Sequence, residues 1–173
     1  MSVELDRREL LKALALLPFT TLQLPAAHPN RPVFFKADEF SILDILTEMI
    51  IPADEHSPGA HEAGVASYID WLTAQEIDPD AKTSWTKGLK AVNDLSEELF
   101  QKSFSSVSAE QRTEILNRFA GTKDQPTAEQ AQFWGQLKDT TAFLYYSSSI
   151  GIHEEMNYKG NVILEQFVGY DAT

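Results

Sequence analysis

From Ala37 onward apolar residues return every three or four positions, the period of an α-helix with one buried face. Phe40, Leu43, Leu46 and Ile50 share a side, Asp44 and Glu48 lie opposite, and Pro52 stops the run. Ile42, Ile45 and Met49 widen this stripe, which predicts a central helix. A second helix is expected from Glu62 to about Gln75, with Val65, Ile69 and Leu72 inward. Trp85, Leu89, Val92, Leu95 and Leu99 mark a third. Ser108 with Gln111 and Thr127 with Gln130 spell two capping boxes, in which each side chain satisfies the other residue's free backbone N–H. The first opens a helix carrying Ile115, Leu116 and Phe119 and ended by Gly121; the second opens one carrying Phe133, Trp134, Leu137, Thr141 and Leu144. Beyond Ser149 the pattern breaks up around Gly151, Gly160 and Gly169, predicting a loop-rich C-terminal tail. The expected fold is all-α, a compact bundle of about five core helices preceded by an N-terminal signal or anchor helix.

The first 27 residues read as a separate unit, with 28–173 as a single helical domain. Charged residues Asp6 to Lys12 precede an interrupted apolar run from Ala13 to Leu24, and Pro25-Ala26-Ala27 follows, the layout of a signal segment. Arg7, Arg8, Leu10, Leu11 and Lys12 fit the twin-arginine translocation pattern, which exports proteins already folded. The alternative is a retained amphipathic helix that packs Leu10, Leu14 and Leu17 against another surface. The run is too short to span a bilayer.

Charge removes one class of partner. Fourteen basic residues against 26 acidic ones give a net charge of −12, whereas nucleic-acid binders present a basic face. There is no cysteine, so disulfides, thiolate metal sites and a cysteine nucleophile are all excluded. None of the eight glycines forms a phosphate or dinucleotide loop, and no G-x-S-x-G elbow occurs. None of the four histidines follows a glutamate by three positions, as a carboxylate-bridged di-iron bundle requires. The best metal candidate is Asp54-Glu55-His56 with His61-Glu62 around Pro58-Gly59, a spacing that matches no standard site. His153-Glu154-Glu155 is weaker, because Asn157 stands where a zinc motif needs histidine. No catalytic, cofactor-binding or metal residue is assigned.

The irregular segments carry a resemblance. The helix ending Glu48-Met49-Ile50-Ile51-Pro52, then Ser57-Pro58-Gly59-Ala60-His61-Glu62-Ala63-Gly64-Val65 and Tyr68-Ile69-Asp70, resembles the first half of the gluconate 2-dehydrogenase subunit 3 family. Phe133-Trp134, Leu137-Lys138 and Thr141, then Tyr145-Tyr146-Ser147-Ser148, Gly151 and Tyr158-Lys159-Gly160-Asn161, resemble its second half. The likeness runs from Arg7 to about Gly169. Many members end in Gly-Cys, and here Tyr170 follows Gly169.

The resemblance implies a small, non-catalytic subunit. Its partner would be a glucose–methanol–choline type dehydrogenase of sugars, sugar acids or glycosides that carries the FAD, with a cytochrome c subunit as an optional third member. The small subunit would aid flavoprotein maturation and carry the partner through the twin-arginine machinery to the periplasm, with any membrane association made through the complex. Tight carriage needs aromatic anchors at an interface. Tyr145, Tyr146, Tyr158, Phe167 and Tyr170 are the candidates. Two other readings stand beside it: an exported helical protein with a metal site at His56 and His61, and a free-standing binding module.

Overall fold

The computed structural model describes residues 32–122, 125–158 and 160. Among them there is no strand. Five α-helices run α1 (Ala37–Ile50), α2 (Val65–Gln75), α3 (Pro79–Phe100), α4 (Ala109–Phe119) and α5 (Ala128–Ser147). A 3-10 turn at Phe104–Ser106 links α3 to α4, and a π-helical turn at Gly151–Glu155 follows α5. The all-α expectation holds. No described helix is long and apolar enough to cross a membrane.

Both capping boxes form: Ser108 and Thr127 accept from the backbone N–H of Gln111 and Gln130, whose side chains accept in return from Ser108 and Thr127 N–H. Three boundaries differ from expectation. Helix α2 starts at Val65 rather than Glu62, because the chain first makes a turn that ends with Gly64 at φ 68°, a left-handed conformation that suits glycine. Helix α3 starts at Pro79, well before Trp85. Asp78 caps it by accepting from Asp80 N–H at 2.9 Å, with Pro79 as first helical residue, so the Asp-Pro pair is a start signal that the apolar period does not reveal. After Ser148 the chain coils again. Ser148 Oγ accepts from Gly151 N–H at 3.0 Å, and Met156 N–H reaches back to the Gly151 carbonyl at 3.0 Å.

The core lies where α1, α3 and α5 meet. Leu43 and Leu46 of α1, Leu89 and Val92 of α3 and Leu137 of α5 are all buried, together with Phe104 and Ile115. Phe133 meets Trp85 and Phe119 edge-to-face at centroid distances of 6.0 and 6.5 Å, tying α5 to α3 and α4.

One inward assignment is reversed. Leu72 is 43 % exposed, and α2 instead buries Val65, Ala66, Ile69, Asp70 and Thr73. Asp70 sets this orientation. Its carboxylate accepts the backbone N–H groups of Val33, Phe34 and Phe35 at 2.5, 3.0 and 2.8 Å, so it must face inward where the incoming chain crosses. An alternative with Leu72 inward would rotate that acceptor away from three donors.

Candidate functional site

The family-like segment between α1 and α2 is a loop pinned from three directions. From α1, Glu48 grips it twice: one carboxylate oxygen accepts from Ala53 N–H at 3.0 Å, the other from His61 N–H at 2.8 Å. A Cβ on Gly59 would collide with this carboxylate and with the Ala53 nitrogen, so the grip requires a residue without a side chain there. Within the loop, Asp54 accepts from His56 and Ser57 N–H at 2.7 and 2.9 Å. Those two bonds, Ser57 first, hold the Asp54 carboxyl below its ordinary range.

The third hold comes from the C-terminal side. Tyr145 of α5 is 1 % exposed, and its phenol donates to the Pro58 carbonyl at 2.7 Å. Ser57 Oγ lies 3.1 Å from the same phenol and donates to a Glu155 carboxylate oxygen at 2.7 Å. Three segments far apart in sequence thus close on one point. The residues of Ser57-Pro58-Gly59-Ala60 contribute in turn a bridging hydroxyl, an accepting carbonyl, a space, and a fully buried methyl.

His61 adds a charge-dependent contact. Its Nδ1 lies 2.8 and 2.9 Å from the two Asp44 carboxylate oxygens, and the hydrogen bond to Asp44 followed by its charge raises the imidazole pKa above the ordinary 6.5. The stability this pair contributes is therefore complete below pH 6.5 and is lost as the pH rises through the elevated folded-state value. Urea midpoints measured across this range should show the wild type losing its advantage over His61→Gln towards alkaline pH. A constant difference would mean that the pair does not titrate.

The two histidines of the loop do not converge. His56 Nε2 lies 3.4 Å from Glu55, while His61 faces Asp44. Among the described residues no cluster of three or more His, Cys, Asp or Glu side chains is arranged to hold a metal ion. A hollow of about 440 Å³ lies between α3 and the start of α5 over Phe119 and Phe133, and shares no residue with the loop.

The predicted interface residues separate. Tyr145 is a correction: its ring is buried and its hydroxyl is engaged by the loop, so it serves the interior. Tyr146 stacks edge-to-face on Tyr145 at 5.3 Å but is 43 % exposed, and Tyr158 is also exposed. Phe143 is the aromatic that sequence reading misses. It lies one turn before Tyr146 on α5, is 70 % exposed, and shares that face by its three-residue spacing. Phe167 and Tyr170, and the signal residues Arg7, Arg8, Leu10 and Leu11, lie outside the described residues.

The sequence profile of the family described as Gluconate 2-dehydrogenase subunit 3 matches residues 37–162, well over half of the 173-residue chain. The chain belongs to this family. The match spans all five helices, the pinned loop and the π-helical turn. No curated protein and no solved structure matches the chain. The family description is that of a subunit of a dehydrogenase, which is consistent with an accessory chain.

Proposed function

We propose that this protein is the non-catalytic small subunit of an FAD-dependent sugar, sugar-acid or glycoside dehydrogenase of the glucose–methanol–choline type. It binds the flavoprotein, aids its maturation and carries it through twin-arginine export into the periplasm, where a cytochrome c subunit can accept the electrons. The observation that carries this reading is the use made of the motif residues. Glu48, Ser57, Asp70 and Tyr145 would be the first choices for acid–base chemistry, yet all four are engaged in holding this chain's own backbone or loop. These residues therefore hold the chain's own fold together, and the family description, that of a dehydrogenase subunit, supports an accessory role.

Phe143 and Tyr146 are the aromatic anchors this reading assigns to the partner face, because exposed aromatics at helical spacing suit the buried centre of an interface. The test is a pull-down of tagged protein from the periplasmic fraction of its own host, with mass spectrometry and a flavin spectrum. A yellow complex with a flavoprotein is expected, and a colourless, partnerless protein would overturn the proposal. Phe143→Ser with Tyr146→Ser should reduce recovered flavoprotein at least tenfold, since anchor residues contribute about 2 kcal/mol or more each, while the melting temperature changes little. Full recovery with the double variant would move the interface elsewhere.

A further inference from the structure

The hollow of about 440 Å³ between α3 and the start of α5 has polar walls over an apolar floor. Asp80, Thr83, Ser84 and Lys87 recur along α3 at helical steps and form one wall. Glu129 and Gln132, three apart on α5, line the same space. The floor is Gly88, Ala91, Phe119 and Phe133. A Cβ on Gly88 would collide with the Phe133 ring, so the glycine lets that ring lie sunk against the α3 backbone and keeps it from filling the space. The volume falls within the range of small-molecule sites, roughly 300–1,000 Å³.

The walls hold hydrogen-bonding capacity that the fold does not use. Among the described residues the side chains of Asp80, Lys87, Glu129 and Gln132 have no hydrogen-bond or ion-pair partner. Other polar side chains of α3 are engaged within the chain: Ser84 donates to Gln136, Lys90 to Asp94, and Asn93 to Glu97. The unused groups set the chemistry of a guest. Asp80 and Glu129 accept, Lys87 donates, and Gln132 does both. An ammonium would suit the carboxylates but not Lys87, and a carboxylate would do the reverse. A hydroxyl donates to the first and accepts from the second, so a neutral rim of hydroxyls satisfies every group. A pyranose carries such a rim, and the C–H groups on its face match the apolar floor. Two carboxylates against one ammonium disfavour an anion, and the backbone N–H groups of Thr127 and Gln130 are already taken by the capping box.

We propose that this groove binds a neutral pyranose sugar, with Asp80, Lys87, Glu129 and Gln132 on its hydroxyls and its C–H face over Gly88, Ala91 and Phe133. So open a site holds a small ligand weakly, with a Kd of about 1–10 mM. The groove shares no residue with the Ser57 and Tyr145 clasp or with the Phe143 and Tyr146 face. The inference concerns the chain alone and stands whether or not a flavoprotein partner exists.

The test is a titration of the isotope-enriched full chain with glucose, followed by amide NMR. Saturable shifts are expected at Lys87, Gly88, Ala91, Glu129 and Gln132. Lys87→Met with Gln132→Leu should weaken binding about tenfold or more, with the circular dichroism unchanged because both side chains are exposed. Glu129→Ala alone should weaken it about fivefold. Glucuronate, the same ring with a carboxylate, should bind more weakly than glucose. Absence of saturable shifts, shifts centred on another face, or undiminished binding by the folded variants would overturn the proposal. Tighter binding of glucuronate would make this an anion site centred on Lys87 and overturn it equally.

Discussion

Asp70→Ala is expected to lower stability by about 3–5 kcal/mol, because removing one carboxylate strands three backbone N–H groups, that of Phe35 in a buried setting. For a chain of this size that corresponds to a fall in melting temperature of roughly 10 °C. Asp70 is itself 2 % exposed, so solvent cannot readily replace it. Asp70→Asn keeps one acceptor oxygen and should fall between the two. Urea unfolding followed by circular dichroism measures all three proteins, with the midpoint moving while the slope stays constant. If Asp70→Ala unfolds at the wild-type midpoint, residues 33–35 are not anchored by this carboxylate.

Tyr145 carries the second large effect. Tyr145→Ala should cost about 3–5 kcal/mol through the cavity left by a buried aromatic ring. Tyr145→Phe keeps the ring and isolates the hydroxyl, and should cost about 1–2 kcal/mol for the lost Pro58 bond. Ser57→Ala combined with Tyr145→Phe should be less than additive, because both substitutions open the same clasp between the loop, α5 and Glu155. Strict additivity would show that the clasp is not one unit. In the pull-down, Tyr145→Phe should still recover the flavoprotein at a temperature where the variant is folded, whereas the Phe143 and Tyr146 double variant should not. That contrast separates a tyrosine that shapes the subunit from one that meets the partner.

The neighbouring tyrosines show where sequence reading stops. Residues 145 and 146 are chemically equal and both qualify as anchors, since aromatic side chains serve cores and interfaces alike. Their fates diverge because a helix turns about 100° per residue: one ring points to the loop, the other to solvent. Phe143 escapes notice because it sits among apolar neighbours whose inward period it does not share. Leu72 reads as inward for the opposite reason. Its apolar character fits the pattern, but a buried carboxylate with three backbone donors outweighs one leucine in orienting the helix.

What the sequence by itself determined is local. The helical period, the Ser108 and Thr127 capping boxes and the family's motif segments are all readable because their causes lie within a few residues along the chain. Tertiary structure alone decided which apolar stripe of α2 faces inward, what Ser57-Pro58-Gly59-Ala60 is for, and that Asp70 binds a backbone rather than a ligand. Those outcomes depend on partners 35 to 98 positions away, Asp70 with Phe35 and Ser57 with Glu155. Hydrogen bonds of that range leave no periodic trace, because the two ends are brought together only when the intervening helices pack and exclude water from the polar groups between them.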